Sequence, residues 1–303
     1  MAVDLVTGTA QINMPLELSS QDRPTLDLSG PKLKSCLQAL IDGCESYGGI
    51  ERYVEALSLK ITFFQETLGG GRANNLSVEE FKRLCVFMAP VRRRIGAWLK
   101  DGSFGTIKDG IVELLQGAED TATTDARIAA FCRPFSANKK TRWARDLACE
   151  VLHYVDPERY PLMCRWVWDV KANSGVLREI WYGENVDGMV INVPDGHETF
   201  LVLREELSQF LAENGVFRDM LSYCDLLTAQ VYADYICAQG GAFLRTDFSS
   251  EEDPMQYTRR MLGLDGVKPG KTKTRLKDID GVSFELAEVS QLPMMSGDTD
   301  ADS

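Results

Sequence analysis

The spacing of apolar residues between positions 33 and 264 constrains the fold of this chain more than any other feature. Leu33, Cys36, Leu37, Leu40 and Cys44 recur at the i, i+3, i+4, i+7 spacing of one buried helix face, and comparable stripes follow as far as residue 238. Gly, Pro and Asn-Gly pairs interrupt these stripes at intervals typical of helices in globular proteins. We therefore predict an all-α fold, a multi-helix globular bundle with at most a short hairpin near 186–197.

Local signals place the helix boundaries. The first helix is expected to begin near Ser29 and a second to run from 50 to 68, where three consecutive glycines end it. Ser77 and Glu80 have capping-box spacing, and Pro90 predicts a break near Met88 in the helix that follows. Further helices are predicted at about 106–116, 123–132, 138–155, 157–170, 174–181, 198–213 and 217–238.

The chain divides into three parts by composition. Residues 1–28 are polar and irregular and are expected to form a flexible arm, whereas 29–264 form the helical core, with a possible subdivision near 183–197. Gly, Pro, Lys, Thr, Asp and Ser dominate 265–303. Such a segment buries too little apolar surface to offset its ordering entropy, so we predict a disordered acidic tail.

The totals disfavour several classes of protein. The formal net charge is −12, whereas a dedicated binder of nucleic acid or anionic membranes needs a basic face. No apolar run is long enough to span a bilayer, and the N-terminus lacks the pattern of a signal peptide. These features predict a soluble cytoplasmic protein whose eight cysteines are thiols, most of them small core residues.

Chemistry is concentrated in residues 138–182, where cations alternate with four of the five tryptophans. Cations can neutralise an anion and flat rings can stack, so this segment is the candidate ligand-binding region. An alternative is that Trp143, Leu147, Val151 and Tyr154 form a core stripe with solvated cations opposite. The candidate ligand-binding residues are Lys139, Lys140, Arg142, Trp143, Arg145, His153, Arg165, Trp166, Trp168 and Asp169. The cations Arg92, Arg93 and Arg94 are expected either to join this basic face or to form a solvated helix surface.

A metal or thiol site is a weaker hypothesis. Cys149 and His153 lie one helical turn apart, and Cys132 and Cys164 flank them, which would allow a Cys3His site. Structural zinc sites usually contain closely spaced cysteine pairs, and this chain has none. His197 is expected to be an exposed histidine at a helix start. No cofactor is predicted.

The C-terminal region contains short apolar islands, which are typical of segments that fold on a protein partner. The candidate partner-binding residues are Met255, Tyr257, Met261, Leu262, Leu264, Phe284 and Leu286. The alternative is that the first island, a short amphipathic helix, docks on the protein's own core.

A segment of about thirty residues resembles the helical architecture of helix-hairpin-helix DNA glycosylase-like proteins. The resemblance rests on a Lys-rich helix followed by Leu152-His153, Pro157, Tyr160-Pro161 and Trp168-Asp169. The hairpin signature, a Gly-Val/Ile-Gly turn followed by a catalytic Lys and Asp, is absent, so neither a function nor a site residue is carried across.

These observations favour a non-enzymatic binding, adaptor or accessory protein that recognises an anionic ligand or a partner protein. One alternative is a nucleic-acid-binding protein that uses residues 139–145, with Trp166 or Trp168 for stacking. The other is a metal- or thiol-dependent enzyme centred on Cys149 and His153.

Overall fold

A computed structural model describes residues 23–45, 48–136, 138–240 and 255–264, together with the backbone of two strands at 273–277 and 283–287. The described chain is predominantly helical, as predicted. Within these ranges no helix is long and apolar enough to cross a membrane.

Twelve α-helices occupy the described ranges, and 3-10 turns connect several of them. The helices are α1 (Gly30–Glu45), α2 (Glu51–Leu68), α3 (Val78–Val86), α4 (Ala89–Arg92), α5 (Ile95–Lys100), α6 (Phe104–Leu115), α7 (Thr124–Cys132), α8 (Trp143–Val155), α9 (Val176–Glu179), α10 (His197–Glu213), α11 (Met220–Gly240) and α12 (Gln256–Met261). The predicted break near Met88 separates α3 from α4 and α5, with Pro90 in the first turn of α4.

The predicted capping box is present at the start of α3. The amide of Glu80 donates to the Ser77 hydroxyl at 3.2 Å, and the Ser77 amide donates to the Glu80 carboxylate at 2.9 Å. These bonds satisfy amides that the first turn of a helix leaves without backbone partners.

Replacing Ser77 by Ala should therefore destabilise the protein by about 1 kcal/mol, the usual cost of losing an N-cap side chain. The free energy of unfolding in urea measures this loss. A Ser77→Thr control retains the acceptor oxygen and should remain close to wild type, whereas an unchanged Ser77→Ala variant would contradict the capping role.

The helices surround a hydrophobic core that includes elements from both sides of the 183–197 break. Helix α11 packs against α1, α2, α9, α10 and α12, and α8 packs against α2, α4, α6 and α7. Every residue of α8 from Trp143 to Tyr154 is buried except Arg145. A helix buried on all sides must pair its polar side chains internally, and α8 contains Asp146, Glu150 and His153.

The predicted helix at 157–170 is wrong. The segment between α8 and α9 consists of turns and extended chain, because Pro161 has no amide hydrogen for a helical ladder. Asp156 accepts a bond from the Arg159 amide at 3.2 Å and holds the first turn. At its end Gly175 has φ +123°, and a Cβ there would lie 2.7 Å from the Val167 carbonyl oxygen.

The 183–197 break is an ordered loop and contains no hairpin. A 3-10 turn at Val186–Gly188 is followed by extended chain without ladder pairing in this described stretch. The Arg178 guanidinium donates to the carbonyls of Val186 and Met189 at 2.8 and 2.9 Å. The Arg178 side chain therefore occupies two backbone carbonyls that would pair with a neighbouring strand in a hairpin.

The described end of the predicted N-terminal arm is docked on the core. Tyr182 and Ser29 donate their amides to Asp27 and Ile180 at 2.8 Å each, and Leu26 is buried. Residues 1–22 lie outside the described residues, so for them the flexible arm remains a prediction.

Two described strands lie within the predicted C-terminal tail. Strands β1 (Lys273–Lys277) and β2 (Ser283–Ala287) pair antiparallel, with Leu276 opposite Phe284 and Thr274 opposite Leu286. The remainder of 265–303 lies outside the described residues, and its disorder remains a prediction.

Candidate anion-binding cleft

A cleft of about 730 Å³ opens between α7, the start of α8 and two loops that follow later in the chain. It collects five of the ten residues predicted to bind ligand. Its lining consists of Asp125, Ile128, Ala129, Cys132, Phe135, Ser136, Asn138, Lys139, Thr141, Arg142, Ala144, Arg145, Arg165, Asp169, Lys171, Ala172, Asp195 and Gly196.

Helix α7 supplies one wall. Asp125, Ile128, Ala129 and Cys132 lie at i, i+3, i+4 and i+7, so a single face of this helix borders the cleft along its length. The Asp125 carboxylate accepts the His197 amide at 3.0 Å and thereby caps α10. The rest of this wall is largely apolar.

The turn between α7 and α8 positions the first cations. The Asn138 side chain accepts the Lys140 amide at 2.8 Å, and the Thr141 hydroxyl donates to the Ser136 carbonyl. The Arg94 guanidinium reaches this turn and donates to the Lys139 carbonyl at 3.3 Å. Arg94 therefore lies beside the 138–142 turn, as one of the two alternatives predicted.

The start of α8 corrects the expected position of the cations. The helix begins at Trp143 and not at Asn138, so Lys139 and Lys140 precede it. The N-cap residue Arg142 makes no side-chain capping bond, the Ala144 amide donates to the Thr141 carbonyl at 3.0 Å, and Asp146 lies in the first turn. Four residues from Thr141 to Arg145 line the cleft.

Two arginines of the cleft are already paired. Arg145 donates to the carboxylate and to the carbonyl of Asp195, both at 2.5 Å. Arg165 donates to the buried carboxylate of Asp146 at 2.6 Å and lies 3.9 Å from Asp169. These contacts hold the two guanidinium groups in defined positions and neutralise much of their charge.

Three other cations of the lining, Lys139, Arg142 and Lys171, are exposed and have no carboxylate partner in the described part of the chain. The three acids of the lining, in contrast, are bound by protein donors: Asp125 by the His197 amide, Asp195 by Arg145, and Asp169 by the Ala172 amide at 3.1 Å. The lining contains five cations against three carboxylates, so its formal charge is positive.

The tryptophans do not form a stacking surface, which corrects our expectation for Trp143, Trp166 and Trp168. Trp143 is fully buried, with ring centroids 5.0 Å from Phe135. Trp168 is also fully buried and donates its indole N–H to the Val193 carbonyl at 2.9 Å. Trp166 is 8% exposed and packs on Tyr232. The core-stripe alternative therefore applies to these rings.

His153 is likewise a core residue and does not reach the cleft lining. Its Nδ1 lies 2.8 Å from the Tyr160 carbonyl oxygen and its Nε2 lies 2.9 Å from the Asp225 carboxylate. Both ring nitrogens are therefore occupied by protein oxygen atoms, and neither is positioned to ligate a metal or to contact Cys149. His197, predicted to be exposed, is buried against Tyr160.

The cysteines are free thiols, as predicted, and six of the eight are buried. Burial raises the pKa of Cys149 to about 12 and raises the pKa values of Cys132 and Cys164 as well, which disfavours the nucleophilic thiolate. Within the described ranges, no group of three or more His, Cys, Asp or Glu side chains could hold a metal ion. The residues Cys132, Cys149, His153 and Cys164 are not brought together as ligands.

The candidate partner-binding residues of α12 contact the protein's own core. Met255, Leu262 and Leu264 are buried, and Tyr257 and Met261 are partly buried. While α12 is docked, the three buried side chains cannot contact a partner. Phe284 and Leu286 lie in β2, and their side chains lie outside the described residues.

Sequence reasoning missed several polar residues that the structure makes important. Asp195 and Lys171 join the cleft from distant loops, and no local pattern indicates this. Lys60 and Glu150 form a fully buried pair with Nζ 3.6 Å from Oε2. Lys60 gives a signal in the sequence, because it interrupts the apolar stripe of Tyr53, Leu57 and Phe64 at a core position.

We compared the chain with protein-family models, with curated proteins and with solved structures, and none of them matches it.

Proposed function

We propose that this protein binds an anionic ligand in the cleft between α7 and α8. The observation that carries the proposal is the convergence of Lys139, Arg142 and Lys171, without carboxylate partners in the described chain, on one cleft. A negative group there gains charge-assisted hydrogen bonds from these side chains. Arg145 and Arg165, which are held by Asp195 and Asp146, line the cleft in fixed positions.

The double variant Lys139→Ala/Arg142→Ala should bind the ligand at least about tenfold more weakly than wild type, since hydrogen bonds to charged groups contribute roughly 1.5–3 kcal/mol each. Inorganic phosphate and phenyl phosphate are suitable probes, measured by calorimetric titration at low ionic strength. The matched control is Lys32→Ala/Lys34→Ala, which removes two exposed cations of α1 that do not line the cleft. Equal affinities for both variants, or no binding of either probe by wild type, would refute the proposal.

Nucleic acid is the alternative ligand, and Arg94, Lys139, Lys140 and Arg142 on neighbouring segments support it. Against it, the two tryptophans expected to stack on bases are buried, and two of the cleft arginines are neutralised by aspartates. An oligonucleotide whose affinity falls steeply with salt and depends on Arg142, together with no binding of phenyl phosphate, would favour this alternative.

A further inference from the structure

The two sides of the cleft differ in chemistry. On the α7 side, exposed Ala129 and partly buried Cys132 border the cleft, with the largely buried Ile128 and Phe135 beside them, and the Asp125 carboxylate lies at the N-terminal end of this wall. On the side of the 138–142 turn, Lys139 and Arg142 present their charges. A ligand that satisfies both sides needs an anionic end and an apolar end.

The size of the cleft points in the same direction. Pockets of roughly 300–1,000 Å³ hold organic ligands, and the volume of 730 Å³ falls within that range, with one side of the cleft open to solvent. An inorganic phosphate or sulfate ion would contact only the cationic end. The α7 wall would then remain unused.

Ala129 is the residue that leaves the apolar wall open. It lies between Ile128 and Cys132 on the cleft face of α7, it is exposed, and its side chain is a single methyl group. A planar or linear apolar group could therefore lie against the helix at this point. Burial of apolar surface would add to the affinity contributed by the anionic group.

We infer that the ligand is a small organic anion, in which one phosphate or carboxylate head binds at Lys139 and Arg142 and an aryl or alkyl body lies on the α7 wall. This inference rests on the proposed function and specifies the ligand class of the same cleft. The head and the body make separable contributions, so each can be removed by its own substitution.

The first test compares probes that share a head. Phenyl phosphate should bind at least about tenfold more tightly than inorganic phosphate, because the ring removes apolar surface from water. Benzoate, with the same ring and a carboxylate head, should also bind. Equal affinity for phenyl phosphate and inorganic phosphate, with both still dependent on Arg142, would overturn this inference and leave the proposed function standing.

The second test fills the apolar wall. Ala129→Trp should weaken phenyl phosphate at least about tenfold and leave inorganic phosphate unchanged, since the indole occupies the place of the body. Ala126→Trp is the matched control, because Ala126 is also exposed on α7 but does not line the cleft. An equal effect of both substitutions on phenyl phosphate would overturn the inference.

Cys132 provides a reporter on the α7 wall itself. It is partly buried in the cleft lining, Cys237 is exposed, and the other six cysteines are buried. In a Cys237→Ser background, saturating phenyl phosphate should slow alkylation of Cys132 by a maleimide several-fold, as read by mass spectrometry. Bound phenyl phosphate with an unchanged alkylation rate would place its ring elsewhere and contradict the inference.

Discussion

Replacing Lys60 by Met should destabilise the protein by about 3–5 kcal/mol at pH 8, the cost of removing one partner from a buried ion pair. The Lys60 ammonium donates to the carbonyls of Phe87 and Leu262 at 2.6 and 2.7 Å and lies 3.6 Å from the centroid of the Tyr154 ring. The substitution leaves both carbonyls and the Glu150 carboxylate without this partner. Chemical denaturation at fixed pH measures the loss.

The loss should depend on pH. Burial raises the pKa of Glu150 to about 7 and lowers the pKa of Lys60 to about 8, and the attraction between the two groups opposes both shifts. Without Lys60, the pKa of Glu150 in the folded protein moves further above its value in the unfolded chain. Glu150 therefore takes up a proton when the protein folds. Wild type and Lys60→Met should both lose stability as the pH rises from about 4.5 to 7, but only Lys60→Met should continue to lose it above about 7, so the defect should be smaller at pH 5 than at pH 8.

The double variant Lys60→Met/Glu150→Gln is the control for this explanation. It removes the buried charge and keeps the two unsatisfied carbonyls, which cost roughly 1–3 kcal/mol each. It should be more stable than Lys60→Met at pH 8 and should lose the additional pH dependence. Simple additivity of the two single substitutions would show that Lys60 and Glu150 are not energetically coupled.

Gly263→Ala should release α12 from the core. A Cβ at this position would lie 1.9 Å from the Phe87 carbonyl oxygen, and the residue has φ +70°. The backbone of α12 must therefore move away, which would expose the buried side chains of Met255, Leu262 and Leu264. Since burying one such side chain contributes about 1.5–3 kcal/mol, we expect a loss of at least about 3 kcal/mol. Hydrogen exchange at 255–264 should accelerate.

Gly215→Ala is the matched control for the backbone conformation. Gly215 has φ +90°, and a Cβ there has no neighbour within 4 Å among the described residues. This variant should cost only the roughly 1–2 kcal/mol of placing a side chain in the left-handed region. Similar losses for Gly263→Ala and Gly215→Ala would contradict the importance of the close approach between Gly263 and Phe87.

Both predictions concern the junction between α12 and the rest of the core. Lys60 bonds to the Leu262 carbonyl, and Gly263 contacts the carbonyl of Phe87 to which Lys60 also donates. One buried cation therefore links α2, the end of α3 and α12. This arrangement explains why the apolar residues of α12 contact the protein's own core.

Much of the helical architecture could be predicted from local patterns. The boundaries of α2, α6, α7 and α10 lie within about two residues of those expected, because glycines and polar caps act over one or two turns. The absence of the helix predicted at 157–170 also has a local cause, because Pro161 lies inside that segment and cannot donate a backbone hydrogen bond. The helix predicted at 138–155 begins only at Trp143, because Asn138 caps the preceding turn and not the helix.

The cleft shows the limit of such reasoning. Lys139, Arg142 and Arg145 were identified as a cationic cluster because they are neighbours in the chain. Which rings would be exposed could not be read from the same segment, since a Trp at helical spacing fits a core and a binding surface equally well. That choice depends on which helices cover α8.

The amino-acid sequence alone therefore accounts for the helical class, most helix boundaries and the capping box, all of which depend on short-range bonding and burial. The tertiary structure alone decided that Trp166, Trp168 and His153 are internal and that α12 docks on the core. It also brought Lys171 and Asp195 to the cleft and paired Lys60 with Glu150. Each of these outcomes requires contacts between residues far apart in the chain, and local periodicity contains no information about which distant groups will meet.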